Sequence, residues 1–216
     1  MNRFRFTLLA ICLVLFYLGK SDIELFWNNR TPLSVDVANL HGTPPQDWLT
    51  VTGGALDMEQ AISTSGSLDL DALLVPLRVS GSTAPFTVLV ETRAPDLLQL
   101  FTDYYFKQTT IEEQRAYLDA HYEAFHPQVE ITGMVVSGLI ASGNRDKLAT
   151  VAKETGLNVS EQVIFLSEGQ TPPTWRGFFF VAMALLGMVK FVQMGRKKEE
   201  NPPQGEIEEA EFKEEM

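Results

Sequence analysis

The sequence predicts a mixed α/β (α+β) domain of five or six strands and about three helices, flanked by two transmembrane helices. Three observations support this: an apolar segment near each end of the 216-residue chain, alternating strand patterns between them, and helix-start signals in the same region. We divide the chain into a cytoplasmic N-terminus with the first transmembrane helix, a linker, the extracytoplasmic domain, a hinge with the second transmembrane helix, and an acidic disordered cytoplasmic tail, at 1–20, 21–32, 33–171, 172–195 and 196–216.

The first apolar segment, residues 6–19, carries no charge and follows Arg3 and Arg5. It is shorter than the roughly 20 residues of a membrane span, but apolar and aromatic residues as far as Trp27 can lengthen the helix. A cleaved signal peptide has the same pattern of basic residues before a short apolar run. The small-x-small site at 19–21 has a lysine at its centre, so we favour a retained anchor, with Cys12 as a packing residue.

The second apolar segment, residues 175–194, is long enough for a span and is followed by the basic cluster 196–198. Lys190 lies near that basic end, where its amine can reach the membrane surface. Basic residues therefore lie before the first span and after the second, on the side of each span that is nearer the chain terminus. The positive-inside rule places both termini in the cytoplasm and residues 21–174 in the periplasm or another extracytoplasmic space.

Strand patterns occupy six stretches between the apolar segments: 33–37, 48–52, 73–80, 86–92, 129–136 and 162–166. Gly53-Gly54 is expected to end the second strand or to bulge it. Pro76 is expected to make the third an edge strand or to form a bulge, because proline cannot donate to a ladder. The third and fourth strands, joined by Gly81-Ser82-Thr83, predict a hairpin.

Helix signals lie among these strands, at four places. Residues 57–62 predict one helical turn, and Pro95-Asp96 open a second helix. Thr110 and Glu113 form a capping box for a third, which runs to about Phe125. The last is capped by Asn144 over 145–155, so that 129–166 is interpreted as strand, helix, strand, a βαβ unit or a split version of it.

Composition excludes several classes of function. Residues 20–175 carry 20 Asp and Glu against 9 Lys and Arg, so no nucleic-acid partner is expected. The single cysteine excludes cysteine-based zinc sites and CxxC redox chemistry. A cysteine-free extracytoplasmic domain favours a bacterial inner membrane protein over a secreted eukaryotic module. The glycosylation sequons at Asn29 and Asn158 matter only in a eukaryotic source.

No catalytic, cofactor-binding or metal-ligating residue is predicted, and no cofactor. The chain has no nucleophile elbow, Walker loop, GxGxxG, HExxH or EF-hand pattern. His121 and His126 are about 140° apart around a helix, so surface or helix-end roles are favoured over metal binding. In the aromatic run 101–106, Phe101 and Tyr105 are expected in the core, and exposed members would mark a docking patch.

These observations favour a non-enzymatic, membrane-anchored interaction, assembly or scaffold protein, because two tethers hold the domain at the outer face of the membrane. The expected partners are the lipid bilayer and a protein partner or a second copy. The alternative is a membrane-bound enzyme or small-ligand sensor. A deep pocket that contains both His121 and Asp119 would favour this alternative. A third hypothesis is signalling through the tail. A patchily apolar convex surface would favour the interaction module.

Overall fold

The computed structural model describes residues 2–63, 71–79, 82, 84–136, 150, 154 and 156–200. The chain forms two compact units, one made of Met1–Trp27 with Pro173–Met216 and the other of Asn28–Pro172. The second unit contains the predicted domain range, 33–171. Most of the predicted helix at 145–155, most of the turn at 81–83 and residues 201–216 of the predicted tail lie outside the described residues. The prediction of disorder is wrong for residues 196–200, which continue the last helix.

The elements of the described chain follow one another in this order: α1 (Asn2–Asn28), β1 (Leu33–Asp36), β2 (Trp48–Leu56), β3 (Ile62–Ser63), β4 (Leu73–Val79), β5 (Phe86–Thr92), α2 (Pro95–Thr102), α3 (Ile111–Ala120), α4 (Tyr122–Phe125), β6 (Gln128–Val135), β7 (Val159–Glu168) and α5 (Arg176–Glu200). Single 3₁₀ turns occur at Val37–Asn39 and Met58–Gln60, and a π-helical turn follows α2 at Asp103–Lys107.

The first unit contains the two long helices. α1, over Phe6–Asn28, and α5, over Arg176–Met194, are long and apolar enough to cross a membrane. Because α1 continues to Asn28, most of the predicted linker 21–32 is helical. Positions of reduced exposure recur every three or four residues along α1 and include Leu8, Cys12, Leu15, Gly19, Asp22 and Phe26.

Small residues let the backbones of α1 and α5 approach closely. A Cβ on Gly19 would lie 2.8 Å from the carbonyl oxygen of Gly177, and a Cβ on Gly177 would lie 2.9 Å from that of Gly19. Farther along the pair, a Cβ on Gly187 would collide with the sulfur of Cys12, which is buried as predicted. Contacts of this kind are typical of membrane helices, where small residues permit tight packing.

The second unit is built on a sheet in the order β1-β2-β6-β7-β5-β4-β3. β2 also pairs with β4, so β2, β6, β7, β5 and β4 close into a ring. In the described part of the chain the sheet has seven strands, whereas the sequence predicted five or six. The additional strand, β3, has two residues, which is too few to produce an alternating pattern.

The Gly53-Gly54 pair bulges β2 without ending it. The register against β6 shifts between Val51 and Gly54, and the strand continues to Leu56. Before the bulge one edge of β2 pairs with β1, and after it the same edge pairs with β4. Gly53 has a φ of 77°, and a Cβ there would collide with the carboxylate of Asp36, so glycine is required.

The prediction that Pro76 marks an edge strand is wrong, because β4 lies between β5 and the segment containing β2 and β3. Pro76 is paired in register with Leu89 of β5, but its carbonyl accepts from the N–H of Asp57 on the opposite side. The nitrogen of a strand residue points to the same side as its carbonyl. The proline nitrogen therefore faces the 3₁₀ turn at 58–60, where no ladder hydrogen bond is lost.

The two strands of the predicted hairpin, β4 and β5, do pair in antiparallel fashion.

The βαβ interpretation of 129–166 is wrong, because β6 and β7 are antiparallel neighbours. The strand that runs parallel to β7 is β5. Strand direction depends on the crossover and cannot be read from the hydrophobic pattern.

The third predicted helix begins with the capping box of Thr110 and Glu113, but it breaks at His121 into α3 and α4.

Three strands are buried on both faces. Alternate residues of β4, β5 and β7 belong to two different apolar clusters, which explains continuous runs such as Leu73–Leu77. The larger cluster also includes Phe101 of α2 and Phe125 of α4, so the helical segment covers this face of the sheet. Full burial of Phe125 fixes the direction of α4 after the break.

Candidate functional site

The helical segment that covers the larger cluster turns several aromatic rings outward. Phe101 is buried as predicted, but the prediction of a core position for Tyr105 is wrong: it is 40% exposed. Tyr104 packs toward the core instead, with its ring 5.1 Å from that of Phe125. The cause is the π-helical turn at 103–107, whose extra residue per turn shifts which side chain points inward.

Two tyrosine–histidine pairs repeat along α3 and α4. The ring of His121 stacks on Tyr117 at 4.1 Å, and its Nδ1 lies 2.9 Å from the Tyr117 carbonyl oxygen. His126 lies in the same way on Tyr122, at 4.6 Å between ring centroids and 3.1 Å from Nδ1 to the carbonyl. Each histidine follows the last residue of its helix. The helix-end position predicted for His126 is therefore found for both histidines.

A strip of contacting side chains runs from the exposed Tyr122 through the half-buried His126 to Glu59 and Tyr105, and we call it the Tyr122–Tyr105 strip. Nε2 of His126 lies 3.2 Å from Oε1 of Glu59, and the Tyr105 hydroxyl donates to the Glu59 carbonyl oxygen at 2.9 Å. Tyr122 is 60% exposed, and the neighbouring Phe106 is 59% exposed. The strip therefore joins the helical segment to the 3₁₀ turn at 58–60 by side-chain contacts.

One end of the strip borders a groove of about 520 Å³, which we call the Tyr105 groove. Its lining among the described residues combines an aromatic wall with an acidic rim: Glu59, Gln60, Ala61, Ile62, Ser63, Phe101, Tyr105, Gly156 and Leu157. Burial raises the pKa of the Tyr105 hydroxyl, and the charges of Tyr104, Glu59 and Asp57 raise it further. Glu59 is the charged side chain among the described residues of this lining.

A second cavity, of about 240 Å³, lies beside Arg78, His41 and Phe86. Nη2 and Nε of Arg78 donate to Oδ2 of the buried Asp57 at 2.7 and 3.2 Å, and Nη1 donates to the Ser82 carbonyl at 3.0 Å. The guanidinium also lies 4.6 Å from the centroid of the Phe86 ring. These contacts give Arg78 a structural role joining β4 to the end of β2.

The residues considered for chemistry do not converge. His121 and Asp119 line neither of these two cavities. Among the described residues, no group of three or more His, Cys, Asp or Glu side chains could hold a metal ion. Asn29 is 2% exposed, and its Oδ1 accepts from the N–H groups of Asp47 and Trp48, so that sequon is closed in the folded chain.

Sequence reasoning missed Glu59 as a site residue. It lies in a single 3₁₀ turn, 46 positions before Tyr105, and no local pattern connects the two. The exposed aromatic residues were detectable only as the run 101–106, because their direction depends on the π-helical turn.

Comparison with protein-family models, curated proteins and solved structures finds no match to this chain. The structure itself defines its class: a mixed α/β, strand-rich domain between two long apolar helices.

Proposed function

We propose that the chain is a two-pass membrane protein whose domain binds other proteins at the outer face of the membrane. In this proposal it acts without catalysis, as an interaction, assembly or scaffold subunit. The single observation that carries the proposal is the exposed aromatic surface formed by the Tyr122–Tyr105 strip and Phe106. Large exposed aromatic side chains in one region are typical of protein interaction sites and rare elsewhere on soluble surfaces.

The close contact between α1 and α5 supports retention of α1. A signal peptide is removed and has no need of a complementary surface. Here Gly19 and Cys12 of α1 meet Gly177 and Gly187 of α5 at distances that exclude larger residues. Removal of α1 would expose this face of α5, so the packing favours a permanent anchor.

The ends of the two helices support the proposed orientation. Trp27 near the end of α1 and Trp175 just before α5 are both largely exposed, as expected of rings at a membrane surface. The opposite ends carry Arg3, Arg5 and the basic cluster 196–198. Together these features support cytoplasmic termini and an outer domain. The absence of cysteine from that domain is the ground for proposing a bacterial inner membrane.

The second candidate is small-ligand sensing, and the Tyr105 groove favours it. Its volume of about 520 Å³ is within the range of ligand sites. Its polar groups do not form an acid–base or nucleophilic arrangement, since Tyr105 donates to a backbone carbonyl and Glu59 contacts His126. Binding, rather than catalysis, is the chemistry that these groups support.

Affinity purification of the full chain from native membranes in mild detergent, after chemical cross-linking, tests the proposal. We expect a stoichiometric protein partner or a second copy to be recovered with the chain. A chain that is recovered alone and monomeric under cross-linking conditions would contradict an interaction role.

A further inference from the structure

We propose that the Tyr105 groove receives a lysine or arginine side chain of the protein partner, with its cation beside Glu59 and over the Tyr105 ring. The inference rests on the proposed binding function and deepens it by naming the chemistry of the partner.

The acidic rim is the first argument. Oε1 of Glu59 lies 3.2 Å from His126 Nε2, and within the described residues the other carboxylate oxygen has no partner. Among the residues that the structure describes, the lining of the groove holds no lysine or arginine beside Glu59. Glu59 is therefore the charge that attracts an incoming cation, since the carboxylate of the buried Asp57 is already paired with Arg78.

The fixed position of the Tyr105 ring is the second argument. Its hydroxyl is held by the Glu59 carbonyl, and its ring packs against Phe101 at 4.4 Å and Tyr104 at 4.8 Å between centroids. The ring therefore needs no reordering before a cation approaches. A lysine or arginine within about 6 Å of an aromatic ring face gains a favourable cation–π interaction.

The surface beyond the groove favours a protein as the source of the cation. Tyr122 and Phe106 extend the aromatic surface outside the groove, where a small polyamine would leave them uncovered. A peptide segment that carries apolar residues beside its cation would cover them. The excess of acidic residues between positions 20 and 175 also attracts a basic partner segment.

The test uses the full chain in phosphatidylcholine nanodiscs, whose net-neutral surface gives a basic peptide no electrostatic attraction, and nanodiscs without the chain supply the background. The probe is a fluorescent peptide of about ten residues with alternating arginine and leucine; the matched control replaces each arginine by uncharged citrulline. We expect the arginine peptide to bind at least about tenfold more tightly, because the ion pair and the cation–π contact both require the charge. Spermidine should compete weakly, since it cannot cover the aromatic surface.

Variants assign the binding to the groove. We expect Glu59→Gln to weaken arginine-peptide binding by about fivefold to tenfold and Tyr105→Ala to do the same. Glu112→Gln, an exposed acid on α3, is the control and should change nothing. Any binding of the peptide to the acidic tail would be the same in all variants, so comparison between variants removes it.

Equal affinity for the citrulline peptide, or full binding by Glu59→Gln, would overturn the inference. Competition by spermidine as strong as by the arginine peptide would overturn the assignment to a protein partner. The proposed function fails separately: a copurifying partner combined with no preference for arginine would reject this inference alone.

Discussion

Asp22 and Arg176 lie 154 positions apart and form a two-point ion pair, in which Nε and Nη2 of Arg176 donate to the two carboxylate oxygens at 2.7 and 2.9 Å. Asp22 belongs to α1 and Arg176 is the first residue of α5, so the contact joins the two apolar helices at one end. The Asp22 side chain is only 13% exposed, whereas that of Arg176 is 61% exposed. The pair is therefore only partly shielded from water.

The first prediction concerns this ion pair. Asp22→Asn should destabilise the helix pair by about 1 kcal/mol, a modest value because Arg176 stays hydrated. The measurement is unfolding of the full chain in mixed micelles by increasing dodecyl sulfate, followed by tryptophan fluorescence. The exchange Asp22→Arg with Arg176→Asp should recover part of the loss. Equal stability of the parent and Asp22→Asn would show that the pair contributes nothing.

A second prediction uses Cys12, the single cysteine of the chain. Because a Cβ on Gly187 would touch the Cys12 sulfur, Gly187→Cys should form a disulfide with Cys12 when membranes are oxidised. The product is an intramolecular cross-link that shifts mobility on a non-reducing gel. Leu185→Cys, at an exposed position of α5, is the matched control and should remain reduced. A cleaved α1 would give no cross-link and a shorter chain by mass spectrometry.

The third prediction is a pH dependence at the start of α3. Hydrogen bonds from the Thr109 backbone and side chain and from the Thr110 backbone hold the pKa of Glu113 below its ordinary 4.5. Since the folded pKa is lower than the unfolded one, the folded chain binds fewer protons. The stabilisation is present at neutral pH and is lost as the pH falls below 4.5.

Glu113→Gln tests this by its melting temperature from pH 7 to pH 3. The variant should melt lower than the parent chain at pH 7, and the difference should shrink as the parent Glu113 becomes protonated. Glu112→Gln, one position earlier and outside the capping box, should show a smaller effect. A difference that stays constant over the whole range would reject the capping contribution.

The strand patterns show how much of the fold local sequence determines. The six predicted strands all occur, because alternation or a continuous apolar run reports burial directly. The β2–β4 contact that closes the sheet could not be predicted, since it depends on the bulge at Gly53 and on a pairing between distant residues. Pro76 misled for the same reason: only the tertiary structure shows that its nitrogen faces a 3₁₀ turn.

The candidate site was less predictable than the fold. The aromatic run was visible in the sequence, but the π-helical turn exchanges the roles of Tyr104 and Tyr105. Glu59 reaches Tyr105 and His126 only because the 3₁₀ turn after β2 lies against the helical segment. Such a juxtaposition is a property of packing, and no periodicity in the chain encodes it.

The fourth prediction tests the central claim, that the exposed aromatic surface binds protein. A photoreactive benzoylphenylalanine placed at Phe106 or Tyr122 in the full chain, in its native cell, should cross-link to a partner or a second copy on irradiation. The same group at Ser34, an exposed position of β1, is the control. Cross-linked bands from 106 and 122 but not from 34 are the predicted result. No bands from either aromatic position, or equal bands from Ser34, would contradict the account.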